Sequence, residues 1–146
     1  MSMKINRTFA LVLVLLMLMT SCRSKNANTD LEDYKSEIPA EQLLEQVKRD
    51  GFVVMEDGDL AVGQKIWRDF YQKTQAEERA TVKLATYYTL DDANVSEEYY
   101  EENKDKYPVI YLAELSYDGK SYTYRSLNGL DGQNGFSRVY PYLVRY

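Results

Sequence analysis

Val109 to Leu127 reads VIYLAELSY-DG-KSYTYRSL. Two runs of strand-forming residues flank Asp118-Gly119, and Asp-Gly between such runs is a strong short-range signal for a two-residue hairpin of type I′ geometry. That turn would pair Tyr117 with Lys120, Leu115 with Tyr122, Ala113 with Tyr124 and Tyr111 with Ser126. Period-2 alternation then puts Val109, Tyr111, Ala113, Leu115, Tyr117, Tyr122 and Tyr124 on one face. Glu114, Ser116, Ser121, Thr123 and Arg125 take the other, with Ile110 and Leu112 toward its base. Glu114 and Arg125 fall on diagonal positions and can pair across the strands.

The pattern extends outward from this hairpin. Upstream, TVKLATYYTL (81–90) is rich in strand formers, with Val82, Leu84, Tyr88 and Leu90 on one face and Thr81, Lys83 and Thr89 on the other. Downstream, the Gly-rich NGLDGQNG (128–135) leads to a last strand, 136–146. Pro141 removes a ladder donor there and predicts an edge or a bulge. Pro39, Ala40, Leu43, Leu44 and Val47 predict a helix closed by Gly51, followed by the short strand FVVM (52–55) and a turn at EDGD (56–59). Val62, Ile66, Trp67, Phe70 and Tyr71 form the apolar stripe of a second helix, 62–73, read as facing a sheet. Ser96 caps a short acidic helix that Pro108 stops. The expected architecture is α+β: an amphipathic helix packed on a four-stranded antiparallel meander, preceded by an N-terminal helix and a short strand. That arrangement resembles the cystatin-like one.

The N-terminus is of another kind. Lys4 and Arg7 precede the uncharged run FALVLVLLMLM (9–19), which is too short to span a bilayer. Thr20 and Ser21 then lead to Cys22, the only cysteine. This three-part pattern is that of a secretory signal. Its end resembles a bacterial lipobox, with Met19 where Leu, Val or Ile is usual. The resemblance implies cleavage before Cys22 and acylation of its thiol and new amino end. Ordinary cleavage leaving a free thiol, or an uncleaved anchor, are the other readings. The expected organisation is a signal peptide (1–21), a polar tether (22–37) and one α+β domain (38–146). The expected location is the outer face of a bacterial cell membrane, held by lipid at Cys22.

Charge and composition narrow the function. Lys4 and Arg7 precede Cys22 and all 23 acidic residues follow it, so the exported part is more acidic than the whole chain's −5. That balance lacks the basic footprint for nucleic acid. The chain has no histidine, which excludes Ser-His-Asp and Cys-His nucleophiles and HExxH zinc sites. Asp91, Asp92, Glu97, Glu98, Glu101 and Glu102 lack EF-hand spacing and read as a solvated face. NGLDGQNG lacks a Walker signature and reads as turn chemistry. No metal, cofactor or catalytic residue is assigned. Tyrosine is the residue in excess: 14 in all, with all but Tyr34 and Tyr71 from Tyr87 onward. Tyr suits half-buried strands and interfaces alike. If the hairpin's Tyr face covers a helix, Tyr140, Tyr142 and Tyr146 are the candidates for an interaction surface.

Three segments carry a family resemblance: LLEQVKRDGFVV (43–54), VKLATYYT (82–89) and LAELSYDGKSYTY (112–124). Together with the lipobox they resemble a family of uncharacterised small lipoproteins of Gram-positive bacteria, a domain of unknown function. Asp91–Tyr107 looks like an insertion relative to that family. The resemblance covers 41–124, implies a lipoprotein and supplies no catalytic residue. The expected function is a membrane-anchored, non-catalytic binding or accessory module, whose partner is an envelope protein or a cell-wall polymer. The alternatives are an inhibitor of a secreted or envelope hydrolase and, third, an envelope enzyme built on carboxylates.

Overall fold

Alternation along Val109–Tyr117 buries both faces of that strand. Ile110 and Leu112 point to one side of the sheet, and Ala113 and Leu115 to the other. A strand covered on both faces needs a layer on each, and the computed structural model has them. It describes residues 30–34, 38–127 and 135–143. The helices are α1 (Ala40–Arg49), α2 (Gln64–Gln75) and α3 (Glu97–Asn103). The strands are β1 (Val53–Glu56), β2 (Asp59–Val62), β3 (Ala80–Tyr88), β4 (Val109–Tyr117), β5 (Tyr122–Ser126) and β6 (Ser137–Tyr140). They form one sheet in the order β2-β1-β3-β4-β5-β6. β1 is parallel to β3, and every other neighbouring pair is antiparallel.

The α+β class is therefore as expected, but the four-stranded antiparallel meander is not. The sheet is mixed and six-stranded because the FVVM run, expected to precede it, joins it beside β3. Residues 59–62 add an outer strand, although Val62 was expected to open a helix. That helix starts at Gln64, which leaves Ile66 on its exposed side and buries Phe70 and Thr74. α2 packs Phe70 and the half-buried Trp67 against Val53, Val82, Leu115 and Tyr122. On the opposite face, α1 sets Leu43, Leu44 and Val47 against Val54, Ala85, Tyr87, Ile110 and Leu112. Ile110 and Leu112 thus belong to a second core rather than to the base of a polar face. Burying a Leu, Val or Phe side chain stabilises by about 1.5–3 kcal/mol, so each face holds its helix by several such side chains.

The turn Leu31–Tyr34 also belongs to the α1 layer. Leu31 and Tyr34 are buried, although they lie within the 22–37 stretch expected to be a tether. The Tyr34 hydroxyl donates to Asp50 Oδ2 at 2.9 Å. Arg125 ties Asp30 to the sheet at 3.0 Å. Arg125 and Glu114 are directly opposed in the ladder rather than diagonal, with Nη2 and Oε1 3.9 Å apart.

The two Asp-Gly pairs fold differently. At Asp57-Gly58 both residues have positive φ, +47° and +94°, and Glu56 pairs with Asp59. This is the two-residue loop with the backbone signs that type I′ requires. At Asp118-Gly119 only Gly119 is left-handed, at +101°. The Asp118 carboxylate accepts from the backbone N–H of Lys120 and of Ser121, both at 2.8 Å. Those bonds hold a four-residue turn, so Tyr117 pairs with Tyr122 and the register moves two residues from the expected one. A shift of two preserves the faces.

The same bonds, that of Ser121 foremost, hold the Asp118 carboxyl below the usual carboxylate range. A folded-state pKa lower than the unfolded one contributes stability above about pH 4, lost as pH falls through the folded value. Asp118→Asn keeps an acceptor oxygen and removes the titration. Its urea midpoint should fall less steeply than that of the parent protein between about pH 5 and pH 2. Identical acid limbs would refute this role for the turn.

Candidate functional site

The C-terminal end of β3 opens into a cleft of about 300 Å³. Its floor is the end of β3 and the chain beyond it: Tyr87, Thr89 and Leu90. Glu41, in the first turn of α1, stands on one side. The segment between β3 and β4 supplies the rest: Tyr100 from α3, then Lys104, Tyr107 and Pro108. That segment is the stretch read as an insertion. Ser96 caps it as expected, accepting from the Tyr99 N–H at 3.2 Å.

The floor is held by the β1–β2 loop. Asp57 donates its N–H to the Tyr87 carbonyl at 3.0 Å. Its carboxylate accepts from the Thr89 N–H at 2.7 Å and from the Thr89 hydroxyl at 2.8 Å. The Asp-Gly loop that folds as a two-residue turn thereby fixes the backbone of the cleft, through a contact 32 residues distant in sequence.

Three of the lining groups are shifted by their surroundings. Burial, followed by the Glu41 carboxylate, raises the Tyr87 phenol pKa. A hydrogen bond with Tyr99, followed by burial, raises that of Tyr107. Lys104 bonds the Glu101 carboxylate, which raises the ammonium pKa. At neutral pH these are neutral phenols and a charged ammonium. Tyr87 is 8% exposed, and among the described residues nothing pairs with its hydroxyl.

The residues singled out from sequence lie elsewhere or outside the described residues. Cys22 and Tyr146 are outside them, as is NGLDGQNG up to Asn134. Tyr140 ends the edge strand β6 opposite Tyr122, and Tyr142 follows it, 69% exposed. Nearby, Tyr124 and Phe136 stand 5.8 Å apart, and the Arg138 guanidinium covers Phe136 at 5.2 Å. Tyr140 and Tyr142 are thus accessible and do not line the cleft at the end of β3. Trp67 and Phe70 stack at 5.6 Å, with Phe70 in the core. In the acidic stretch, Asp91 accepts from Ala93 and Asn94 of its own turn. Among the described residues no group of acids is arranged to hold a metal ion, and no helix is long and apolar enough to cross a membrane.

Sequence reading missed the cleft because its walls come from three separated segments. The available signal was three tyrosines, Tyr99, Tyr100 and Tyr107, in an inserted segment between two strands. No family model, characterised protein or solved structure matches the chain.

Proposed function

We propose that this protein is a lipid-anchored module at the outer face of a bacterial cell membrane, which binds an envelope component and carries out no chemistry of its own. The anchor half rests on the basic start, the 9–19 apolar run and the placement of Cys22. Two acyl chains or more hold a protein stably where one would not. The binding half rests on the state of the cleft. Its walls are the rings of Tyr87, Tyr100, Tyr107 and Pro108, with the Thr89 hydroxyl, the Glu41 carboxyl and a Lys104 ammonium that bonds Glu101. Aromatic faces with a few polar groups around them are the usual lining of a recognition site.

Cys22→Ala tests the anchor. The variant should leave the membrane fraction or accumulate as a precursor that retains 1–21. A mature mass and membrane fraction equal to those of the parent protein would overturn it. Recovery of envelope components with the anchored protein tests the binding half. Nothing above background, at native levels and with lipidation intact, would overturn that.

A further inference from the structure

Tyr87 poses a specific chemical demand. Its ring belongs to the α1-side core, yet its hydroxyl has no partner among the described residues and the side chain lines the cleft. Water can bond the hydroxyl in the open cleft, and a ligand that displaces this water without replacing the bond leaves a buried polar group unsatisfied, at a cost of about 1–3 kcal/mol. An apolar ligand would incur that cost. A ligand with acceptor oxygens would avoid it.

The other walls narrow the class. Tyr100, Tyr107 and Pro108 offer half-buried ring surfaces. Glu41 offers acceptors, and Lys104 offers donors. The hydroxyl proton of Thr89 goes to Asp57, so its oxygen is left as an acceptor. Glu41 disfavours a polyanion in the cleft, and Lys104 disfavours a polycation. A neutral ring with one C–H face and a rim of hydroxyls meets every wall: the face lies on the aromatic surfaces and the rim takes both donors and acceptors. The cleft also lies at the low end of the size range for small-molecule sites, about 300–1,000 Å³.

We infer that the cleft binds a neutral pyranose ring of an envelope glycan, with the Tyr87 hydroxyl donating to a sugar oxygen. This rests on the binding reading above and gives it a ligand class. Tyr87→Phe separates binding from folding. Because the hydroxyl has no partner among the described residues, its removal should leave the urea midpoint unchanged or raise it. The same change should weaken sugar binding about fivefold, since one hydrogen bond contributes about 1 kcal/mol.

The test is calorimetric titration of the full mature chain in mild detergent with triacetylchitotriose, with maltotriose and, as a zwitterionic control, with trialanine. At least one trisaccharide should bind saturably with a Kd near 1 mM or tighter (about −4 kcal/mol). Tyr87→Phe should weaken that binding without loss of stability, and Tyr100→Ala should weaken it further. Failure of both trisaccharides, binding of trialanine alone, or a Tyr87→Phe variant that binds as the parent does would each overturn the assignment. If the anchored protein still recovers envelope components while no trisaccharide binds, the sugar assignment falls and the binding module stands.

Discussion

Phe52→Ala should lower the unfolding free energy by about 3–5 kcal/mol, the usual cost of emptying a buried phenylalanine site. Phe52 has no exposed surface. Its ring meets Tyr34 edge-on at 5.1 Å, and the Lys83 ammonium lies over it at 5.5 Å. It follows α1 directly, and its N–H donates to the Val47 carbonyl at 3.2 Å. The site therefore joins α1, the Leu31–Tyr34 turn and the start of β1. Neighbours from three separate elements limit how far the site can collapse around a cavity, which favours the upper part of the range. Against a total of about 5–15 kcal/mol for a domain, the loss is a large fraction. Urea unfolding should show the midpoint falling with little change in slope, and the thermal midpoint should drop by roughly 15 °C. Phe52→Leu, which fills most of the volume, should cost well under half as much. A loss below about 1 kcal/mol for Phe52→Ala would show that this ring is not central to the core.

Gly63→Ala should be comparably damaging for a different reason. Gly63 sits between β2 and α2 with φ +94°. A Cβ there would stand 2.7 Å from the Val53 Cα and 2.8 Å from the Phe52 carbonyl oxygen. Both are backbone atoms of the segment that enters the sheet, so no side chain can rotate away. Gly58→Ala is the control. It shares φ +94° but faces open space, so it should cost only the left-handed penalty, about 1–2 kcal/mol. Gly63→Ala should exceed it by 2 kcal/mol or so, as overpacking against fixed backbone does. Parallel thermal melts of the two variants measure the difference, and equal midpoints would show that the close approach is relieved at no cost.

The contrast between these glycines shows where reading the sequence stops. Gly58 is legible: Asp-Gly between polar residues marks a turn. Gly63 is not, because its constraint comes from β1, ten residues earlier in the chain and brought alongside only by the fold. The two Asp-Gly pairs make the same point. Local preference favours a two-residue turn at both, and the carboxylate's partner decides between them. Asp118 finds two amides of its own loop and widens it, whereas Asp57 reaches Thr89, just past the end of β3. The cleft depends on that last contact, so it was hidden for the same reason.

The sequence by itself determined strands from period-2 alternation at 81–90 and 109–117, helices from the spacing of Leu43, Leu44 and Val47 and of Trp67 and Phe70, and the α+β class, but not β2, whose Val62 reads as the opening of a helix. It also carries the whole case for export and anchoring at Cys22. These signals are local, since side-chain periodicity follows from backbone geometry within one element. Tertiary structure alone decided that β1 joins β3 in parallel, that both sheet faces are covered, and that Glu41, Tyr87 and Tyr107 border one cleft. Those outcomes depend on which apolar faces meet, and the residues that meet there are far apart in the chain.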